Sequence, residues 1–191
     1  MSYNERKRIG AHFECDVGDY LEACGYTVVR TGIEEILQGA IGRKFISLIR
    51  WDNQPLAKFV KNAPDGYAIN EAGVLFAWDA KIGLHIARDA WEAYQHIAKI
   101  GALFLFFKSG TQVLSGEIKS IELEHGDDTT AGFGSSAHPR DREGWICPRQ
   151  GSNGNGAGSG SPYRKVRTST LDPVENFPHT PMEPQPCQIA S

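Results

Sequence analysis

Asp65 and the triplet Asp79-Ala80-Lys81 have the residue types and spacing for hydrolytic chemistry. They stand in the stretches Ala63-Pro64-Asp65-Gly66 and Phe76-Ala77-Trp78-Asp79-Ala80-Lys81. Successive side chains of a strand point to opposite faces, so Asp79 and Lys81 share a face if this stretch is a strand. Two carboxylates and an amine converging on one spot can hold a divalent cation and polarise a water. That is equipment for metal-assisted phosphodiester hydrolysis.

The elements around these residues have to position them. Residues 4–24 read as an amphipathic helix, with Ile9, Phe13, Val17, Leu21 and Cys24 at helical spacing and Gly25 as its stop. Tyr26-Thr27-Val28-Val29-Arg30 is a short β-rich run. Residues 33–62 read as an insertion of irregular or hairpin structure, in which Phe45-Ile46-Ser47-Leu48-Ile49 is a candidate strand. Tyr67-Ala68-Ile69 and Val74 to Lys81 read as strands joined by a turn at Asn70-Glu71-Ala72-Gly73. A second helix over 88–100 places Ala87, Trp91, Tyr94 and Ala98 along its buried side. Leu103-Phe104-Leu105-Phe106-Phe107 suits a strand buried on both faces, and 113–123 could add one more strand.

The chain has 191 residues, 40% of them hydrophobic, enough for one cored domain with a tail. Net charge is -3, so the broad basic signature of a passive DNA coat protein is missing. Residues 1–121 balance fourteen Lys and Arg against fourteen Asp and Glu, so the acidic excess belongs to the remainder. A nuclease is still allowed, since acidic metal ligands lower net charge and a local basic surface suffices. Cys15, Cys24, Cys147 and Cys187 show no CxxC pairing, which points away from a disulfide framework and to a reducing compartment. No run reaches the roughly 18 apolar residues of a membrane span, and no signal peptide is evident. The expected location is cytoplasmic.

The character changes near residue 125. Eight of the ten prolines follow it, and 151–161 contains only Gly, Ser, Asn, Ala. The expected division is a domain over 1–125, with the insertion at 33–62, and a largely disordered Gly/Pro/Ser-rich tail over 126–191, whose scattered anchors Tyr163, Val166, Leu171 and Phe177 could dock on a protein partner or on the domain itself.

The order helix, strand, insertion, strand with Asp65, strand with Asp79 and Lys81, helix, buried strand resembles the core of the PD-(D/E)xK nuclease superfamily. Lys7-Arg8-Ile9-Gly10-Ala11-His12-Phe13-Glu14, then Leu21 to Arg30 with its Gly25-Tyr26-Thr27-Val28-Val29-Arg30 strand, is similar to the opening of archaeal-type Holliday junction resolvases. So is Tyr94-Gln95-His96-Ile97-Ala98-Lys99-Ile100-Gly101-Ala102 before an apolar strand. The likeness spans about residues 6–108.

It implies an α/β restriction-endonuclease-like fold, a mixed central sheet flanked by helices, with a flexible C-terminal tail. It further implies that Glu14, Asp65, Asp79 and the Ala80 carbonyl hold Mg²⁺, with Mn²⁺ able to substitute. Lys81 would activate the attacking water, and Gln95 would be an accessory polar residue. Arg30 and Thr31 would approach a phosphate. A homodimer cutting branched DNA is implied as well. Among the other basic residues, Arg6, Lys7, Arg8, Arg43 and Lys44 are candidates for phosphate contacts.

Taken singly, these features have blander readings. Pro64-Asp65-Gly66 is also a turn sequence, and Glu14 sits where a helix surface residue could sit. The third acid is Asp79 where the family more often has Glu. Two other functions remain open from sequence: a restriction- or repair-type nuclease acting on other DNA structures, and a catalytically silent DNA-binding or scaffold protein on the same fold.

Overall fold

The computed structural model describes residues 3–31, 44–45, 49, 52, 54–124, 141–146 and 162–177. Helix α1 (Tyr3–Ala23) opens the chain. Phe13, Val17 and Leu21 recur at helical spacing and are at most 2% exposed. The helix stops at Gly25, whose φ of +90° is open to glycine at no steric cost. Strand β1 (Thr27–Arg30) follows. Helix α2 (Pro55–Lys61) starts with proline, whose missing N–H costs nothing in a first helical turn. Strands β2 (Gly66–Ile69) and β3 (Leu75–Ile82) form the expected hairpin. Next come β4 (His85–Ala87), α3 (Arg88–Ile97), β5 (Ala102–Ser109) and β6 (Gln112–Glu117). Two late strands, β7 (Tyr163–Lys165) and β8 (Asp172–Pro173), complete the fold.

The main sheet has six strands in the order β1-β2-β3-β5-β6-β8. Only β3 and β5 run parallel, since the chain crosses between them through α3. The other neighbours are antiparallel, so the architecture is a mixed, mostly antiparallel sheet flanked by helices. Alternation along β3 and β5 splits the core. Phe76, Trp78, Phe104 and Phe106 pack with α1 on one face. Ala77, Leu103, Leu105 and Phe107 pack with Ala90, Tyr94 and Ile97 of α3 on the other. All five residues of the 103–107 run lie inside this core, so their apolar side chains are not available to a partner.

Several sequence expectations are corrected here. The 33–62 stretch is not all irregular or hairpin, because α2 lies within it. Of the candidate strand at 45–49, the described residues Phe45 and Ile49 are helical. Residues 118–120 form a turn, which shortens the strand expected over 113–123. Within the stretch assigned to a tail, residues 162–177 are structural. β7 pairs with β4, β8 pairs with β6, and Phe177 is 3% exposed. Its ring centroid lies 5.1 to 6.4 Å from those of Tyr20, Tyr26, Phe76, Phe104 and Phe106. Phe177, Val166 and Leu171 are all buried, and together with the β4–β7 and β6–β8 pairings they offset the ordering of this strap. Cys15 and Cys24 are free thiols, and among the described residues no helix is long and apolar enough to cross a membrane.

Candidate active site

The hairpin register builds the site. Gly66 pairs with Trp78, so Asp65 enters β2 beside Asp79. The Ala80 N–H donates to Asp65 Oδ2 at 2.8 Å. The Asp65 backbone is fixed from the other side, where its carbonyl accepts from the Thr31 N–H at 2.8 Å. Gly66 lets the strands approach: a Cβ there would stand 2.6 Å from the Trp78 indole.

Asp79 and Lys81 do share a face, the one covered by α3. Asp79 is 1% exposed, and its Oδ2 forms an ion pair with Lys81 Nζ. A carboxylate taken this far out of water needs such a partner. Tyr94, also 1% exposed, completes the group. Lys81 Nζ lies 5.7 Å from the centre of its ring, so the phenol stands beside the ion pair.

The charges act on one another. Burial first, then the Asp79 carboxylate, push Asp65 up to about 8; Lys81 and the Ala80 N–H oppose this, and Glu14 adds to it. Burial alone would lower the Lys81 ammonium, but Asp79 first, then Tyr94 and Asp65, hold it well above the ordinary lysine value. Burial and the Asp79 charge push the Tyr94 phenol far up, so it stays protonated and can donate.

Other candidates fall into place unevenly. Glu14 is half-buried on α1, whose apolar side covers the opposite face of the sheet, and it reaches Asp65 as a charge. Among the described residues no group of three or more His, Cys, Asp and Glu is drawn together to hold a metal ion. Arg30 is turned onto α1: it donates to the Cys15 thiol at 3.0 Å and pairs with Asp19 at 2.8 Å. Thr31 works as a brace for Asp65, with its hydroxyl also 3.4 Å from the Pro64 carbonyl. Gln95 is half-buried one position beyond Tyr94, and no hydrogen bond ties it to the group. Arg8 and Lys44 are exposed. The side chains of Arg6, Lys7 and Arg43 lie outside the described residues. Tyr94 is the site residue that sequence reasoning missed; its place on the buried side of a helix read as core alone.

The donors present fit a hard divalent cation. They are oxygens, and the Asp79 repulsion, which adds to burial in keeping a proton on Asp65, is what a cation near the two carboxylates would relieve.

No protein-family model matches this chain, and no curated protein does. Among solved structures it is similar to the Holliday junction resolvase Hjc of Archaeoglobus fulgidus, an archaeal hyperthermophile. Identity is 16% and the TM-score 0.40, over 61% of this chain and 78% of that one.

Proposed function

We propose that the chain is a metal-dependent endodeoxyribonuclease that hydrolyses phosphodiester bonds of branched DNA, working as a homodimer. One observation carries this reading: Asp65, held by the Ala80 N–H, stands beside the buried Asp79 and its partly exposed ion-pair partner Lys81 on the adjacent strand. The strand order and the crossover through α3 agree with the nuclease core that the sequence resembles.

Asp65 and Asp79, with the Ala80 carbonyl and Glu14, would hold Mg²⁺ or Mn²⁺. Such an ion, when bound, supplies a Lewis acid and lowers the pKa of a coordinated water. The chain's own residues do the rest. The Lys81 ammonium sits beside the carboxylates with its side chain 29% exposed, so it can reach both solvent and a phosphate oxygen. Thr31 and the Ala80 N–H keep Asp65 from rotating away.

The test is cleavage of a synthetic four-way junction with Mg²⁺. Asp65→Ala and Lys81→Ala should each abolish cutting while leaving junction binding intact. Mutants as active as the wild type would remove this site. Linear duplex cut as readily as the junction would remove the preference for branches and leave a nuclease. Binding without cutting by the wild type would favour the silent DNA-binding protein instead.

A further inference from the structure

The sheet face that carries the site continues past it toward β1. Alternation along β2 puts Tyr67 and Ile69 on one face, and Asp65 enters the strand two residues before Tyr67. Register sets Val29 on one side of Tyr67 and Ala77 on the other, with Leu75 opposite Ile69. Ala77 lies in the core under α3, so this is the side of Asp79, two residues further along β3. Cover ends there: Val29, Tyr67, Ile69 and Leu75 are each at least 38% exposed.

A solvated sheet face ordinarily turns polar side chains outward. Here the positions in register beyond the site are Thr27, Val29, Tyr67, Ile69, Leu75 and Ala77, none of them charged. An open apolar strip beside a charged group marks a binding surface. A subunit interface takes about 20–30 residues from each partner, far more than this strip offers. A nucleotide fits it better, being anionic at the phosphate and flat and apolar on the faces of its base. Two residues along a strand span roughly 7 Å, so a phosphate drawn to the Lys81 ammonium beside Asp65 and Asp79 has its adjoining base within reach of the Tyr67 ring. In linear duplex each base is paired and stacked on both faces. At a branch point those faces open.

Resting on the nuclease reading above, we propose that Tyr67 is a specificity-determining residue, whose ring stacks on an unstacked base next to the scissile phosphate, with Val29 beside it. The site would then take DNA whose bases are open at the cut. Stacking requires the ring of Tyr67 and is indifferent to its hydroxyl.

The test uses four-way junctions carrying 2-aminopurine at successive positions around the branch, bound without metal so that nothing is cut. Stacking on an aromatic ring quenches the fluorescence of this base. The wild type should quench it at a position next to the branch, Tyr67→Phe should quench as strongly, and Tyr67→Ala should not. Tyr67→Ala should also bind the junction about 5–150-fold more weakly, the worth of one stacked base, with its hold on linear duplex unchanged. Tyr67 is exposed, so loss of its ring should leave the melting temperature near that of the wild type.

A wild type that quenches at no position, or a Tyr67→Ala protein that quenches like the wild type, overturns the proposal. So does sedimentation in which Leu75→Glu turns a dimer into monomers, since the strip would then be a subunit interface. Failure of the nuclease reading looks different. A wild type that quenches at the branch but cuts no DNA with Mg²⁺ overturns the nuclease and keeps the stacking, whereas one that cuts without quenching keeps the nuclease and overturns the stacking.

Discussion

Asp65 ties the chemistry to pH. In the folded, metal-free protein it keeps its proton up to about 8, against an ordinary 3.8 in the unfolded chain. The folded value is the raised one, so this group costs nothing below 3.8, and its cost to stability grows as pH rises toward 8. A cation must expel the Asp65 proton, so Mg²⁺ affinity should rise with pH up to about 8 and then level off. Calorimetry at about pH 7, in buffers of different ionisation heat, should register proton release. A proton-neutral binding reaction, or one unaltered by Asp65→Asn, would contradict this. The Asp79–Lys81 pairing was legible in the sequence because a period of two needs no knowledge of the rest of the molecule. Tyr94 was not, because an aromatic on a helix's apolar side looks the same whether it meets leucines or a carboxylate. The way α3 lies over β3 decides which, and periodicity does not encode that.

At the scale of elements, two glycines let neighbours touch, with different tolerance. At Gly66 an added methyl meets the indole of Trp78, which is fully buried and has nowhere to go. Gly66→Ala should cost about 1–3 kcal/mol, the range for overpacking, and should part Asp65 from Ala80. At Gly18 the methyl meets the Arg30 guanidinium at 2.9 Å, the far end of a flexible side chain. Helix propensity favours alanine there by about 1 kcal/mol, so Gly18→Ala should be near neutral. Chemical denaturation of both variants checks the contrast, and a Gly66→Ala protein as stable as the wild type would refute it. The α1–β1 and β2–β3 units followed from the sequence because their signals are local. Helix α2 did not, since seven residues starting at a proline give too short a period to recognise.

At the scale of the molecule, the last strap belongs to the core. Phe177→Ala should cost about 3–5 kcal/mol, the usual loss for a buried aromatic. A chain ended at residue 161 loses β7, β8 and Phe177 together, and should lose cooperative unfolding and cutting. A truncated protein that melts like the full chain would show the strap to be dispensable. The anchors Tyr163, Val166, Leu171 and Phe177 were legible in the sequence, but not what they dock on, because a Gly/Ser run precedes them, prolines surround them and their partners lie far away in the chain. The Tyr20 hydroxyl donates to the Val174 carbonyl at 2.7 Å, across 154 positions. That distance sets an order of events at the ribosome. At about 5–20 residues per second, α1 waits roughly 8–30 s after emerging before Val174 and Phe177 are made. Once β3 and β5 are made α1 can pack on Phe76, Trp78, Phe104 and Phe106, but the place of Phe177 in that cluster stays open until the end of the interval. The cutting proposed here should therefore be absent from any nascent chain that has not yet reached residue 177.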